Sequence, residues 1–125
     1  MVVDVADEAR AAIVEHFAPR GWDVVGVRSG IEAITESLTH PVDVIVMSLV
    51  LPGLEGFETA VIIRQISPGV RIILMAGAEL DARPRERQHT EFFRCFPKPL
   101  DLDALARAIG ETNVSPGIGD GEGLE

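Results

Sequence analysis

The chain has 125 residues, the size of one ordinary domain. Apolar residues make up 46% of it, as in a globular protein, and 20 acidic against 11 basic residues give a net charge of −9. So acidic a surface disfavours nucleic acid and anionic membranes as partners of the whole domain. The single cysteine, Cys95, excludes an internal disulfide and a four-cysteine zinc site. Neither a signal peptide nor a membrane helix is predicted, and we expect a cytoplasmic protein.

Short runs rich in β-branched and other apolar residues predict the strands of a sheet. They cover residues 22–27, 42–47 and 70–75 and, more weakly, residues 92–96, while Val2 and Val3 predict a short strand before them. The runs at 44–47 and 72–75 are continuously apolar, which is typical of strands buried on both faces.

Helical spacing of apolar residues fills the intervals between the strands. Ser29 and Glu32 form the pattern of a capping box before the second helix. Residues 83–91 hold no apolar residue except Pro84, so a helix between the last two strands should be short, irregular or mobile. The other four predicted faces consist of Ala9, Ala12, Ile13, His16 and Phe17; Ile31, Ile34 and Leu38; Phe57, Ala60, Val61 and Arg64; and Leu102, Leu105, Ala106 and Ile109.

Strands that alternate with helices of this length imply a parallel sheet covered by helices on both faces. The predicted fold is therefore a three-layer, doubly wound α/β domain over residues 1–112. Residues 113–125 contain glycine, proline and acidic residues with little to bury, which predicts a flexible tail or a linker. In such a sheet, ligands bind where the strands end. The residues there are Asp4, Val5, Ser48, Ala76 and Lys98.

The chain resembles the receiver domains of two-component response regulators. Residues 52–56, Pro-Gly-Leu-Glu-Gly, are similar to the family's Pro-Gly-x-Asp-Gly turn, and Lys98-Pro99 is similar to its Lys-Pro pair. Arg10, Ile13, Phe17 and Gly21 fall on its first-helix pattern. The resemblance covers residues 1–112 and implies a flavodoxin-like, five-stranded sheet of order 2-1-3-4-5. It also allows a cis peptide bond before Pro99.

The positions that carry the family's chemistry are mostly replaced. The family has two acids after strand one, a phosphoacceptor aspartate after strand three, a hydroxyl residue after strand four, and a switch aromatic and a lysine near strand five. The corresponding residues here are Asp4, Val5, Ser48, Ala76, Cys95 and Lys98. An aspartyl phosphate and its Mg²⁺ require carboxylate oxygens, so the resemblance implies a degenerate receiver with no cofactor and with Mg²⁺ binding absent or weak. We expect Asp4 to face Lys98 as a balanced pair without a metal.

The function that follows is a pseudo-receiver, a protein-interaction module of phosphorelay signalling that is not an enzyme and does not depend on phosphorylation. Its partner would be an output domain, a kinase or a second receiver, including a homodimer. In receivers, the face formed by the helix before strand five, strand five and the last helix is where dimers and output domains dock. Four arginines there suit an acidic partner, although a solvated polar loop explains them equally well. They are Arg83, Arg85, Arg87 and Arg94.

Three other functions remain as alternatives. One is a working receiver that phosphorylates an unexpected carboxylate such as Asp4. A second is a small-ligand or flavin-binding domain of the same topology, which the absence of a Gly/Ser/Thr-rich phosphate cradle disfavours. The third is an enzyme with Ser48 as nucleophile, which is disfavoured because residues 47–51 lack the Gly-x-Ser-x-Gly elbow. His16, His40 and His89 are too scattered to predict a metal site.

Overall fold

The computed structural model of the chain describes residues 1–77 and 93–114. Five strands form one sheet in the order β2-β1-β3-β4-β5, and every neighbouring pair is parallel. This confirms the predicted doubly wound α/β fold and its strand order. The strands are β1 Val2–Val3, β2 Gly26–Val27, β3 Val44–Ser48, β4 Arg71–Ala76 and β5 Arg94–Pro97.

Four helices belong to the described residues. The helix predicted around residues 83–91 and residues 115–125 of the predicted tail lie outside the described residues. The helices are α1 Asp7–Phe17, followed by a 3₁₀ turn at Ala18–Arg20, α2 Gly30–Thr39, α3 Gly56–Ile66 and α4 Leu102–Val114.

The sheet separates two apolar layers. Ile45 and Met47 of β3 face α2 and α3, while Val44 and Val46 face α1 and α4. All five residues of β3 are buried, as are five of the six residues of β4. The continuous apolar runs therefore mark central strands covered on both sides, as predicted.

The predicted apolar face of α2 is correct for Ile34, which packs partly against the core, but wrong for Ile31 and Leu38. Ile31 and Leu38 are 62% and 66% exposed, and the buried side of the helix carries small residues such as Gly30 and Ala33. A Cβ on Gly30 would lie only 2.2 Å from the hydroxyl oxygen of Thr59, so α2 packs on α3 at a separation that only small residues permit. Close helix contact thus determines which side of α2 faces inward.

Two smaller differences concern α1 and the start of α2. Ala9 and Ala12 are exposed, and Ile13 and Phe17 supply the buried side of α1. The backbone N–H of Glu32 donates to Ser29 Oγ over 3.2 Å, which confirms the cap. The Glu32 carboxylate, however, accepts from the backbone N–H of Arg28 and not from that of Ser29.

Strand β2 is shorter than the sequence predicts. The run at residues 22–27 is apolar enough for a strand, yet only Gly26 and Val27 pair with β1. The first β1 residue to pair with β2 is Val2, whose N–H donates to the carbonyl of Val25 over 2.8 Å. Within the described residues, the pairing of β2 with β1 is limited to Gly26 and Val27 and to the bond at the Val25 carbonyl.

Candidate functional site

Side chains from three strand ends meet at the carboxyl edge of the sheet. Asp4 follows β1, Ser48 ends β3 and Lys98 follows β5, and parallel strands present all three at one edge. Lys98 Nζ donates a hydrogen bond to Ser48 Oγ over 2.9 Å and lies 3.8 Å from Asp4 Oδ2. These residues, chosen from the sequence, therefore form one cluster.

Asp4 is the buried anion of this cluster and is 2% exposed. Its Oδ1 accepts from the backbone N–H of Ala6 over 3.0 Å, and its backbone carbonyl accepts from Arg10 over 2.9 Å. Oδ2 is buried without a hydrogen bond within the described residues. The ammonium group of Lys98, whose side chain is 34% exposed, is the cation that faces this oxygen.

Ser48 is buried beside the backbone of neighbouring residues and is 1% exposed. Its hydroxyl accepts from Lys98 and donates to the carbonyl of Val50 over 3.1 Å, so both of its hydrogen-bonding roles are used. The start of α3 closes the other side, because a Cβ on Gly56 would lie 2.3 Å from the carbonyl oxygen of Ser48. This is a packed, hydrogen-bonded serine.

Comparison with known proteins identifies the family. Residues 1–110 match the family model of the response regulator receiver domain. The chain belongs to this family. Among the described residues, no helix is long and apolar enough to cross a membrane.

Relatives of this receiver domain occur both as single domains and within longer chains. It is 31% identical over 113 residues to the sensor kinase CckA of Brucella abortus (strain 2308), covering 89% of this chain but only 12% of that protein. It is 26% identical to sporulation initiation phosphotransferase F of Bacillus subtilis (strain 168), covering 87% of this chain and 88% of that one.

Solved structures support the same fold. The signal receiver domain of an HD domain-containing protein from Pseudomonas fluorescens Pf-5 superposes with a TM-score of 0.77 at 22% identity. The match covers 88% of this chain and 89% of the other. At that identity the likeness establishes the receiver fold alone.

The predicted site residues Val5, Ala76 and Cys95 have no oxygen in their side chains. Val5 is 43% exposed, and Ala76 is buried at the end of β4 beside Pro97 of β5. Cys95 packs partly against the core, and this burial raises the pKa of its thiol. The peptide bond between Lys98 and Pro99 is cis, which confirms that expectation.

Asp7 at the start of α1 is engaged by two arginines. Asp7 pairs with Arg10 over 2.6 Å and with Arg28 over 3.2 Å, and the hydrogen bond from Arg10, followed by the charge of Arg28, lowers the pKa of Asp7. Within the part of the chain that the structure describes, no three His, Cys, Asp or Glu side chains are grouped so as to hold a metal ion.

Only one of the four arginines predicted on the docking face can be placed. Arg94 is exposed on β5 and its guanidinium lies over the ring of Phe96, 5.3 Å from the centroid. Arg83, Arg85 and Arg87 lie outside the described residues.

Sequence reasoning missed two groups that complete the site. The carbonyl of Val50 accepts the Ser48 proton, and a backbone acceptor leaves no signal in the side-chain pattern. Arg10 holds the carbonyl of Asp4 and also pairs with Asp7. The spacing of Asp7 and Arg10 by three residues on a helix was a signal for that pair.

Proposed function

We propose that this receiver domain is a pseudo-receiver, which acts in two-component signalling by binding a protein partner and not by accepting phosphate. The observation that carries the proposal is the hydrogen bond from Lys98 to Ser48 at the phosphoacceptor position. The lysine that would otherwise be free to meet a phosphoryl oxygen is already paired with a neutral hydroxyl.

The phosphoacceptor position of this cluster carries a serine and no carboxylate. Transfer to an aspartate requires a carboxylate nucleophile in line with the phosphoryl donor. Ser48 offers a hydroxyl that is 1% exposed and donates to the carbonyl of Val50. Phosphate on a serine would also be a stable ester, unlike the labile acyl phosphate on which a reversible relay depends.

The residues present do not fit Mg²⁺. This ion needs near-octahedral oxygen coordination and usually one or two carboxylates together with phosphate oxygens. The cluster has the single carboxylate of Asp4, and the ammonium group of Lys98 lies 3.8 Å from its free oxygen. Val5, at the position of the family's second acid, supplies no oxygen. Mg²⁺ would have to displace the ammonium group of Lys98, and the cluster has no second carboxylate to hold the metal ion.

The residues that would change conformation after phosphorylation are also replaced. Ala76 has no hydroxyl to follow a phosphoryl group, and Cys95 has no ring to change position. We therefore infer a fixed conformation that a kinase, an output domain or a second receiver recognises through its surface. Arg94 on β5 belongs to the face proposed for that contact.

Phosphorylation by a small-molecule donor tests the proposal directly. The chain is incubated with acetyl phosphate and Mg²⁺, and its intact mass is measured at intervals. We expect the mass to stay unchanged, and titration calorimetry with Mg²⁺ to show no saturable binding at millimolar concentrations.

The matched positive control restores the carboxylates. A variant with Val5→Asp and Ser48→Asp carries acids at the positions of the metal ligand and the acceptor, so it should gain one phosphoryl group under the same conditions. The proposal fails if the unaltered chain gains a phosphoryl group that Asp4→Asn abolishes.

A further inference from the structure

Helix α2 carries large aliphatic side chains on its outer surface. Ile31 and Leu38 are 62% and 66% exposed, the highest values for large apolar side chains among the described residues. They are seven residues apart and therefore lie on the same side of the helix, and the partly buried Ile34 lies between them. Because small residues on another side of α2 already make its contact with α3, Ile31 and Leu38 are not needed to hold the helix in place.

Helix α3 continues this apolar surface. The close approach of Gly30 to Thr59 shows which side of α3 faces α2. Ile62 and Ile66 follow Thr59 by three and seven residues, which places them on that same side, and both are partly exposed. The apolar residues of the two helices, here called the α2–α3 surface, are Ile31, Ile34, Leu38, Ile62 and Ile66.

The shape of the α2–α3 surface suits a helix. Both helices cross over between parallel strands of one sheet, so they run side by side in the same direction. Such a pair leaves a groove in which a third helix can pack, with contacts spaced by three, four and seven residues. From Ile31 to Leu38 the surface extends about 10 Å, or two helical turns.

Acidic groups border one end of this surface. Glu32 and Glu58 are exposed, and each is the third residue of its helix, so both lie towards the carboxyl edge of the sheet. Their carboxylates accept backbone hydrogen bonds at the helix starts, and neither forms an ion pair within the described residues. α2 contains no lysine or arginine, and Arg64, the one arginine of α3, lies over the ring of Phe93 beside β5.

These charges select a basic partner. A lysine or arginine beside Glu32 or Glu58 would form an ion pair that the described part of the chain does not supply. A second copy of the chain would instead bring another net charge of −9 to the contact, and an anionic membrane would be repelled in the same way. The occupant that fits both the apolar residues and the acids is a basic amphipathic helix.

We propose that the α2–α3 surface binds an amphipathic helix of a partner protein. The aliphatic side of that helix covers the five apolar residues, and its lysine or arginine side chains pair with Glu32 and Glu58. The surface shares no residue with the face that includes Arg94 of β5. The proposal holds whether or not the chain accepts phosphate, because none of these residues belongs to the cluster at the carboxyl edge.

Three peptides test this proposal, each acetylated and amidated. The first, LKKLLKLLKKLLKL, forms a helix with leucines on one side and lysines on the other. The second, LKLKLKLKLLKLKL, has the same composition, but its alternating pattern gives a helix no apolar side. The third replaces every lysine of the first with glutamate. Each is titrated into the chain by calorimetry below the concentration at which it self-associates, and the amide resonances of α2 and α3 are followed by NMR.

We expect saturable binding of the first peptide and binding at least about tenfold weaker for the other two, because the second cannot bury its leucines together and the third is repelled by the acids. The amide resonances that shift should belong to α2 and α3, with the midpoint that calorimetry gives.

Substitutions on the surface test the apolar contact. The double variant Ile31→Gln with Leu38→Gln should weaken binding of the first peptide at least about tenfold, since two exposed aliphatic side chains no longer contribute. Its control is Val5→Gln, which alters an exposed apolar residue outside the surface and should leave the affinity unchanged. Because Ile31 and Leu38 are exposed, the melting temperature of the double variant should stay close to that of the unaltered chain.

A second pair of variants tests the charges. Glu32→Gln with Glu58→Gln keeps an oxygen to accept each helix-start hydrogen bond but removes both charges. It should weaken binding several-fold and reduce the salt dependence of the affinity. The control of equal charge, Glu8→Gln with Glu15→Gln on exposed residues of α1, should have a clearly smaller effect.

Three results would overturn the proposal. One is equal affinity for the two peptides of identical composition. Another is a loss of affinity in either control as large as in its matched surface variant. The third is a dimer of the unaltered chain in sedimentation that Ile31→Gln with Leu38→Gln dissociates, because a second copy would then occupy the surface.

Discussion

The two edges of the sheet are built differently, although the same strands form both. At the carboxyl edge, the polar groups are hydrogen-bonded to one another. Lys98 donates to Ser48, and Ser48 donates to the carbonyl of Val50. At the amino edge, residues 22–25 and 42–44 line a pocket of about 390 Å³ whose lining includes the acids Asp23, Glu36 and Asp43. Among the described residues, Ser48 is packed at the edge where the family places its chemistry, and the opposite edge contains a pocket.

The difference follows from how each edge is packed. Gly56 lets α3 begin directly against the carbonyl of Ser48, so backbone covers the carboxyl edge. At the amino edge, residues 22–25 and 42–44 line a pocket together with Met1 and Val2. Backbone contact at Gly56 leaves no room beside Ser48, whereas the amino edge contains a cavity.

The largest expected effect comes from breaking the packed edge. Gly56→Ala places a methyl group 2.3 Å from the Ser48 carbonyl oxygen and 2.8 Å from the Cα of Leu49, and backbone atoms must move to accept it. We expect a loss of about 2–4 kcal/mol in the free energy of unfolding, measured by chemical denaturation.

The matched control is Gly110→Ala in α4. Nothing lies within 4 Å of a Cβ built there, so helix propensity alone should stabilise the chain, by up to about 1 kcal/mol. A Gly56→Ala variant as stable as the unaltered chain would show that the carboxyl edge is not tightly closed.

The second effect concerns the amino edge and its pH dependence. Burial lowers the pKa of the Met1 amino group from 8.0 to about 6, while Asp43 and Asp23 act in the opposite direction. Between pH 6 and 8 the unfolded chain therefore holds more protons on this group than the folded chain does. Stability should rise across that interval, by about 2 kcal/mol from this group alone, and be complete above pH 8.

Acetylation of the amino group isolates that contribution. The acetylated chain keeps an N–H to donate to Val44 but cannot titrate, so the difference between the two unfolding curves should vanish above pH 8 and be greatest below pH 6. A difference that does not change with pH would refute the assignment.

A smaller effect tests the pair at the carboxyl edge. Lys98→Met leaves the 2% exposed carboxylate of Asp4 without its facing cation and removes a donor from Ser48. We expect a loss of about 1–2 kcal/mol, moderated by the partial exposure of Lys98. In the double variant with Asp4→Asn, the loss caused by Lys98→Met should be clearly smaller. Strict additivity of the two losses would show that the pair is not coupled.

The smallest expected effect distinguishes Asp43 from Asp23, two acids that line the pocket. Both Asp43→Asn and Asp23→Asn should lower the pKa of the Met1 amino group further, because each removes a charge that stabilises the ammonium form. Asp43→Asn should have the larger effect, since its charge acts more strongly on the amine. An NMR titration of residues beside Met1 measures the order, and the reverse order would contradict the prediction.

Much of the fold could be predicted because the burial of the central strands follows from their apolar composition. The apolar runs that became β3 and β4 are long enough to be buried on both faces wherever their neighbours lie. The apolar face of α2 could not be predicted, because Ile31 and Leu38 fit helical spacing as well as the small residues that pack on α3. Periodicity gives a helix its faces, but only the close approach of a neighbour selects the inner one.

The side chains of the candidate site could be predicted from the sequence, but their hydrogen bonds could not. Asp4, Ser48 and Lys98 could be placed at one edge because parallel strands end together. The direction of the Ser48 proton and the role of Arg10 depend on backbone carbonyls, which every residue has and no pattern marks.

The sequence by itself determined a parallel α/β receiver fold and the identities of the side chains at its strand ends, because burial of apolar runs and the order of elements are properties of the chain. Only the tertiary structure decided that Lys98 bonds to Ser48, that α3 packs against this serine, and that the opposite edge holds a pocket of about 390 Å³. Those features depend on register and on distances of a few ångströms between segments far apart in the chain, where each hydrogen bond needs a partner at a definite place.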